Sequence, residues 1–553
     1  MGFPTFHSLS DQYEMLLEQF TVMQAALAPL NLTRWQLFRL LAAQIWRDTS
    51  PTIRVGLIVL ASGLLILALD AFILQPYVYS LRRLGIPKLS PSKGKHAFDY
   101  KPMLDEAARK YPDRPWLFAY SGFEFVVFPS AYVEEIRRLP ARTASLVDFL
   151  TTVQFGGWHL IGSDDSSNTL HKTASTDLAR SVGTMGIGRQ EAARRACEST
   201  IGPCPEWKTL PLGWTLLDLV VSTSATGLVG EPLSRDPRWL KAVQRLPIAV
   251  GVGLFISCSF PRLLRPIIAT FFYSPAWLLY RWMAYLLRPT VGQAIKEFQQ
   301  SNGEKKTGAE NQPQSQRGTT LVNLLMTRYK PEEFQADQLI RDVITATFES
   351  APTTAVSIYW MLIEIILRPD LMDELREELA SVMKDGKLPP TQLAELPKMD
   401  SLMRESARVN TFHYLGLSRI LRSPVQFSVG PKLPKGTIIC VDQDNIHNSS
   451  KIYADPHVFD PKRFYRMRQQ AGHETRHQYT SNGPDLLTWG DGPQVCPGRV
   501  FGGNTIKILL AHLLINYDLK LEAGKGKPPR LSFPNGSVQP DMNFKFLIRQ
   551  RRV

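Results

Sequence analysis

The first 75 residues contain one long apolar run. Residues 55–74 read VGLIVLASGLLILALDAFIL, 20 positions in which Asp70 is the single charge. A helix of this length crosses a hydrocarbon layer of about 30 Å, and the run lies too far from Met1 for a cleavable signal peptide. We predict a membrane anchor at residues 55–75. A buried helix of a soluble protein is the alternative that this pattern leaves open.

The charges on either side of the run favour one orientation. Basic residues are more numerous after it (Arg82, Arg83, Lys88, Lys93 and Lys95) than before it (Arg47 and Arg54). Positive charge favours the cytoplasmic side. The triplet Asn31-Leu-Thr33 is a glycosylation sequon, which suits a lumenal position. We therefore expect residues 1–54 to form a lumenal, helix-rich segment and the rest of the chain to be cytoplasmic.

The chain after the anchor divides into a linker and one large domain. Prolines in IPKLSPSKG, residues 86–94, favour an extended linker at 76–97. From residue 98 to 553 helical periodicity dominates, with paired strands predicted at 416–441. The apolar run 248–260 is too short to span a membrane, so it predicts a core helix or a membrane-dipping segment. The polar residues 300–317 predict a surface loop.

Composition narrows the class of protein. The apolar content of 44% is that of a folded protein with a sizeable core, and the formal net charge of +14 suits an anionic lipid or an acidic protein partner. No zinc-finger spacing or aromatic-and-basic repeat supports nucleic acid. Five cysteines, without a CxxC pair, argue against a disulfide framework or a structural zinc site.

One cysteine lies in a distinctive loop. Residues 489–502 read WGDGPQVCPGRVFG, and an apolar-periodic segment follows. This predicts a helix that begins near Arg499. A cysteine before a helix N-terminus faces free backbone N–H groups, which favour the thiolate. Gly492 and Gly498 lack a Cβ, so the backbone there can approach a flat ligand and turn around the sulfur of Cys496. Such a loop can offer one axial thiolate to haem iron.

This segment resembles the cysteine loop of the cytochrome P450 family. Trp489, Gly492, Cys496 and Gly498 occupy the places of its aromatic residue, first glycine, ligand and second glycine. The resemblance implies haem b with the thiolate of Cys496 as metal ligand. It also implies a mainly α fold with a small β region, the P450 fold, after one transmembrane helix. Two positions depart from the family pattern. Trp489 replaces the usual Phe, and Gln494 replaces a cation that pairs with a haem propionate.

A second pair of motifs lies upstream of the cysteine. Glu405 and Arg408 are spaced i, i+3 and can pair on one helix face, which by itself usually indicates a solvated surface pair. The segment FDPKRF follows at 459–464. Together the two segments resemble the family's structural network, which implies that Arg463 completes it, with Glu405 holding two forked guanidinium groups.

The segment TATFESAPTTAVS lies within a helical stretch predicted at 336–368. It resembles the family's oxygen-activating helix, which implies that Glu349 and Ser350 are catalytic residues that deliver protons. Ser350 stands where Thr is more usual. Pro352 predicts that the helix bends or opens near this pair. A kink without function is the alternative.

The resemblance implies further contacts and the activity. Arg419 and Lys172 are the expected partners of the haem propionates, although a surface role for Lys172 is as well supported. The likeness is to fungal secondary-metabolism members of the ent-kaurene oxidase-like type. It implies a monooxygenase of the endoplasmic reticulum that receives NADPH-derived electrons from NADPH-cytochrome P450 reductase. The expected substrate is a bulky lipophilic terpenoid, meroterpenoid or polyketide-derived intermediate. A P450-fold isomerase or dehydratase independent of O2, and a membrane-tethered binding protein, remain alternatives.

Overall fold

The computed structural model describes residues 49–70, 72–74, 80–89, 100–120, 123–154, 168–261, 263–306, 319–329, 335–384, 388–532 and 537–552, with isolated positions between 36 and 47. The chain divides into two compact units, 1–78 and 79–553. Most of the predicted lumenal segment, and residues 76–79 and 90–97 of the predicted linker, lie outside the described residues. The predicted domain boundaries therefore stay predictions.

The first unit contains helix α1, Pro51–Leu69. It begins four residues before the apolar run because Ser50 caps it, with its hydroxyl accepting from the N–H of Ile53, and because Pro51 suits the first helical turn. None of its side chains is buried. With the residues that follow, it forms an apolar span at Pro51–Leu74 with mean hydropathy 2.7. A helix so apolar and so exposed is a candidate membrane anchor.

The second unit is mainly helical. Its helices are α2 Lys101–Lys110, α3 Val133–Arg137, α4 Leu146–Phe149, α5 Thr169–Lys172, α6 Gly186–Thr200, α7 Leu212–Leu228, α8 Pro237–Cys258, α9 Arg265–Phe272, α10 Ser274–Lys306, α11 Leu321–Met326, α12 Ala336–Ile366, α13 Pro369–Val382, α14 Pro397–Val409, α15 Gln443–His447, α16 Arg463–Arg468 and α17 Arg499–Asn516. Helix α12 runs through the main core, where it packs against α7, α10, α14 and α17.

The strands form three small sheets among the described residues. They are β1 Lys88–Leu89, β2 Trp116–Tyr120, β3 Phe123–Phe128, β4 Ala144–Ser145, β5 Lys208–Pro211, β6 Leu415–Leu421, β7 Ile438–Asp442, β8 Tyr517–Leu521, β9 Arg530–Ser532, β10 Val538–Pro540 and β11 Lys545–Gln550. The sheet orders are β1-β2-β3-β7-β6-β4, β5-β11-β8 and β10-β9. Antiparallel pairing of β6 with β7 confirms the paired strands predicted at 416–441.

One local prediction is wrong, and a second is narrowed. Helix α10 continues to Lys306, so the loop predicted at 300–317 does not begin at residue 300. Gln, Glu and Lys are good helix formers, and a polar stretch without an apolar pattern can therefore extend a helix. Helix α12 remains α-helical through Pro352, so it does not open at that residue, and a bend there stays a prediction. Residues 307–318 lie outside the described part of the chain.

The segment from α8 to α10 carries an exposed apolar surface. Helix α8 is the other described helix that is long and apolar enough to cross a membrane by itself, but it buries Val250 and Leu254 on one face. Its other face and the two following helices expose large apolar side chains, namely Ile248, Val252, Phe255, Ile267, Phe271, Trp277, Leu278 and Trp282. Because one face is packed into the core, α8 is an amphipathic helix at the surface of the domain.

Candidate active site

Cys496 ends a tight loop directly before α17. Its backbone N–H donates to the carbonyl oxygen of Trp489 at 2.8 Å, which closes the loop. The backbone N–H groups of Gly498 and Arg499, at the start of α17, donate to the sulfur. The indole of Trp489 in turn donates to the carbonyl oxygen of Tyr479 at 2.8 Å. The helix start predicted near Arg499 is confirmed, and it directs two N–H donors at one sulfur atom.

The thiol of Cys496 is strongly desolvated. Burial raises its pKa to about 11, and the charge of Glu349 adds to the rise, whereas the two backbone donors and Arg499 lower it. The N–H groups therefore act in the predicted direction, but burial outweighs them in the protein alone. A coordinating cation removes the proton of a thiol outright. In this loop a coordinating metal, rather than the protein alone, would remove the proton of the Cys496 thiol.

Two glycines shape the loop. Gly492 has a φ of +71°, and a Cβ there would overlap the carbonyl oxygen of Arg137, so this position requires glycine. A Cβ on Gly498 would meet no protein atom within 4 Å. The space beside Gly498, two residues after Cys496, is therefore free of protein.

Helix α12 presents one accessible face to this loop. Between residues 342 and 366 the side chains that retain accessible surface are Ala346, Glu349, Ser350, Pro352, Thr353 and Ser357, at helical spacing. Protein nevertheless surrounds Glu349, since burial raises the pKa of its carboxyl to about 7. A side chain that is both accessible and desolvated faces an enclosed cleft. The influence of Glu349 on Cys496 places the carboxyl and the sulfur within electrostatic range of each other.

The hydroxyl groups on this face bond to their own helix. Ser350 Oγ donates to the carbonyl oxygen of Thr347 at 3.0 Å, and Thr353 Oγ1 donates to that of Glu349 at 3.1 Å. Such bonds fix the rotamer of each hydroxyl while leaving its lone pairs able to accept. Ser350 and Glu349 are therefore adjacent on the accessible face, and Thr353 is a further hydroxyl there that the sequence motif did not single out.

The three residues predicted to form a buried network lie in contact. Arg408 donates two hydrogen bonds to the carboxylate of Glu405, at 2.7 and 2.9 Å. Arg463 Nε lies 3.3 Å from both oxygens of that carboxylate. Arg408 also donates to the carbonyl oxygens of His447 and Pro456, each at 2.7 Å. Glu405 and Arg408 are fully buried. The network joins α14, α15 and the start of α16, and none of these contacts reaches Cys496.

Similarity to known proteins agrees with this geometry. A family model described as cytochrome P450 matches residues 256–548. Over 536 residues the chain is 39% identical to cytochrome P450 monooxygenase ffsD of Aspergillus flavipes, covering 97% of this chain and 99% of that protein. The chain belongs to the cytochrome P450 family. It is an enzyme of the monooxygenase class, and these relatives are named as cytochrome P450 monooxygenases of fungi.

Other relatives extend the comparison. Pyrichalasin C-18 hydroxylase of Pyricularia grisea is 34% identical over 97% of this chain and 98% of its own length. The crystal structure of the cytochrome P450DA heme domain has a TM-score of 0.59 with 15% identity, and the match covers 84% of this chain and 97% of that one. At this identity the structural likeness shows the P450 fold. The narrower likeness to ent-kaurene oxidase-like members stays a prediction.

The residues present fit the haem that P450 family membership implies. A single sulfur with two N–H donors, the protein-free space beside Gly498 and the accessible face of α12 opposite are what a flat group with one axial thiolate requires. Cys496 would hold the iron, and Trp489 and Gly492 would shape the loop around it. Among the described residues, no group of three or more His, Cys, Asp or Glu side chains offers a different metal site.

The predicted propionate partners lie in unlike surroundings. Arg419 is buried and donates to four backbone carbonyls, those of Ile136, Arg137, Leu139 and Asp491, at 2.7 to 3.4 Å. Burial lowers the pKa of Arg419 to about 10. Lys172 lies exposed at the end of α5. The contacts of Arg419 tie the cysteine loop to α3, so its predicted propionate contact and that of Lys172 stay predictions.

Gln494, the departure from the P450 pattern, binds backbone on both sides. Its Oε1 accepts from the N–H of Leu146 at 2.7 Å, and its Nε2 donates to the carbonyl oxygen of Ala144 at 2.9 Å. Asp491, whose role is not visible in the cysteine-loop motif, is also buried and pairs with Arg137 at 3.2 Å. The loop is therefore held to residues 137–146 by neutral and charged contacts that adjacent sequence does not reveal.

Proposed function

We propose that this P450 inserts one atom of dioxygen into a bulky lipophilic intermediate of fungal secondary metabolism. The observation that carries the proposal is the position of Cys496 opposite the accessible face of α12. Haem bound there would supply the chemistry of oxygen activation, with NADPH-derived electrons delivered by NADPH-cytochrome P450 reductase. The net charge of +14 suits an acidic partner of this kind.

Glu349 and Ser350 are proposed as the proton-delivering residues. Burial raises the pKa of Glu349 to about 7, so its carboxyl can give and regain a proton near neutral pH. The hydroxyl of Ser350 lies on the same accessible face and can accept from a carboxyl or a water and pass a proton on. Glu405, Arg408 and Arg463 are proposed to support the fold and to take no part in proton transfer.

The substrate is proposed to be a terpenoid, meroterpenoid or polyketide-derived compound that enters from a membrane. The exposed apolar surface of α8, α9 and α10 suits contact with lipid, and the apolar span at Pro51–Leu74 suits a single-pass anchor. We place the catalytic domain on the cytoplasmic face of the endoplasmic reticulum. One relative is named for hydroxylating pyrichalasin at C-18, which makes hydroxylation of a carbon centre the favoured reaction.

The decisive experiment is a reduced, carbon monoxide-bound difference spectrum of microsomes. The wild-type protein should give the red-shifted Soret band of thiolate ligation, and Cys496→Ser should lose it. A second assay, with reductase and a panel containing pyrichalasin-type compounds, terpenoids and fatty acids, should show product only with NADPH and O2. Product formed without NADPH would identify an isomerase or dehydratase instead. Well-folded wild-type protein that binds no haem would identify a binding protein.

A further inference from the structure

Arg189, on α6, is a fully buried arginine that contacts the first turns of α17. Its Nη1 donates to Asn504 Oδ1 at 2.6 Å, and its Nη2 donates to Thr505 Oγ1 and, at 3.4 Å, to the carbonyl oxygen of Phe501. The guanidinium carbon lies 4.0 Å from the centroid of the Phe501 ring. The fork therefore binds two side chains, one carbonyl and one aromatic ring within five residues of α17.

These contacts are with uncharged groups. Among the described residues no carboxylate pairs with Arg189, and burial lowers the pKa of its guanidinium to about 9. An arginine side chain stays protonated in a protein, so the fold keeps a cation that lacks an opposite charge. Burying such a group without a charged partner is costly. A well-packed apolar side chain would avoid that cost, which indicates that the forked donors serve a purpose.

The contacts hold the turn that bears on Cys496. Phe501 belongs to the first turn of α17, the turn that begins with the N–H donors to the sulfur. Gly227 of α7 lies against the edge of the Phe501 ring and beside Arg189, because a Cβ there would lie 2.9 Å from the ring and 3.4 Å from Cδ of Arg189. The Phe501 side chain thus contacts both α6 and α7, and Arg189 bonds to the carbonyl of the same residue.

We propose that Arg189 is a positioning residue for the axial thiolate: its forked donors fix the rotation of the first turn of α17 and thereby the direction of the N–H groups that bond to Cys496 Sγ. This inference rests on the proposed haem ligation by Cys496. Hydrogen bonds to a ligating sulfur tune the metal as well as orienting the ligand. Arg189 therefore acts on the haem through α17, without contact with substrate.

The test compares Arg189→Lys and Arg189→Met with Arg194→Met, in full-length holoenzyme in microsomes. Arg194 lies on the same helix, exposed and paired with Glu191 and Glu198. The readouts are the share of the reduced carbon monoxide complex in the thiolate-type band and the ferric reduction potential. Both Arg189 variants should lose most of the thiolate-type band in favour of the blue-shifted inactive form, and the potential of the remaining fraction should shift. Arg194→Met should match the wild type.

Thr505→Val provides a milder variant if Arg189 variants do not fold. It removes one acceptor of the Arg189 fork while nearly preserving side-chain volume, and it should produce a smaller change in the same two readouts. Variants of Arg189 and Thr505 that lose only thermal stability, with a wild-type band and potential, would reduce Arg189 to a packing residue and overturn the proposal. Wild-type protein without any thiolate-type band would instead overturn the proposed function together with this inference.

Discussion

Two groups of buried arginines support the cysteine loop and the helices beneath it, and they are satisfied in different ways. Arg408 and Arg463 share the carboxylate of Glu405, so each has a charged partner and one of their two charges is balanced. Arg189 and Arg419 donate to carbonyls, an amide and a hydroxyl, and burial lowers the pKa of each. On folding, ion pairs with Glu405 replace the hydration of the first group, whereas hydrogen bonds to neutral groups alone replace the hydration of the second.

The difference predicts unlike consequences of losing the charge. Removal of Arg408 leaves the buried carboxylate of Glu405 without its two shorter hydrogen bonds and with Arg463 alone, which is strongly destabilising. Removal of Arg419 deletes a costly buried cation as well as its hydrogen bonds, so the two effects partly cancel. Arg189 and Arg419 should therefore contribute less to the free energy of unfolding than Arg408 and Arg463. Their larger effect should be on the geometry of the cysteine loop.

The largest effect is expected from Arg408→Met. The variant leaves Glu405 buried with Arg463 at 3.3 Å as its remaining described cation, and it should lower the free energy of unfolding by about 3–5 kcal/mol. Guanidinium unfolding of detergent-solubilised holoenzyme, followed by the Soret band, measures this. Arg466→Met is the control, since Arg466 pairs with Asp460 on the surface, and it should cost less than about 1 kcal/mol. Equal losses in the two variants would contradict the proposed importance of the buried network.

Arg419→Met tests, by the same measurement, a buried arginine that donates to neutral groups. Four carbonyl oxygens lose their donor, but the desolvated charge is removed too, and we expect a net loss of about 2 kcal/mol. The haem should also dissociate faster, because the bond from Arg419 to the carbonyl of Asp491 holds the cysteine loop. A loss as large as that of Arg408→Met, with unchanged haem dissociation, would show that the two groups of arginines do not differ as described.

Gln494→Arg introduces the cation that is usual in the P450 family at this position. Arginine has no acceptor for the N–H of Leu146, which now donates to Oε1 of Gln494. The variant should therefore lose about 1–2 kcal/mol of stability instead of gaining haem affinity. Gln494→Glu keeps the acceptor and loses the donor to Ala144, so it should be impaired for the opposite reason. Tighter haem binding in Gln494→Arg, measured by transfer of haem to apomyoglobin, would show that a cation is accommodated here after all.

The charged network could be predicted from sequence because its members recur in a spaced pattern. Glu405 and Arg408 are one helical turn apart, and the segment containing Arg463 follows at a distance that the family shares. The helix start after Cys496 was equally readable, since glycine and proline end where apolar periodicity begins. No such sequence pattern indicates the role of Arg189. It lies more than 300 residues from Phe501 in sequence, and its neutral partners are common residue types without a fixed spacing.

Local sequence features did not predict the properties that depend on burial or on distant residues. Pro352 predicts that α12 bends or opens; the helix does not open, because a helix packed into the core can lose one hydrogen bond and persist, and the bend stays a prediction. The raised pKa of Glu349 depends on atoms from distant segments and is invisible in TATFESAPTTAVS. Gln494 signalled only the absence of a cation, since its partners Ala144 and Leu146 are about 350 residues away. Sequence motifs thus identified the candidate site residues, whereas contacts between distant segments determine properties such as the pKa of Glu349.

The smallest effect is expected from Glu349→Gln, which removes a desolvated acid of the cleft that lacks the charged partners of Glu405 among the described residues. The folded-state pKa of about 7 lies above the ordinary value of 4.5, so between these values the folded protein binds more protons than the unfolded chain. Its stability should therefore fall as pH rises through this window. The variant lacks that loss and should gain stability over the wild type at about pH 8 while matching it at about pH 4. Soret-monitored unfolding at both pH values measures the difference.

Glu134→Gln is the control of opposite sign. The hydrogen bond from Arg137 lowers the pKa of Glu134, so this carboxylate adds stability above its ordinary pKa and loses that contribution as pH falls through the lowered value. Its removal should therefore weaken the protein slightly at about pH 8, where removal of Glu349 strengthens it. If both variants shift stability in the same direction at that pH, the cleft around Glu349 is hydrated. The carboxyl would then titrate as a surface acid, and its proposed role in proton delivery near neutral pH would lose its physical basis.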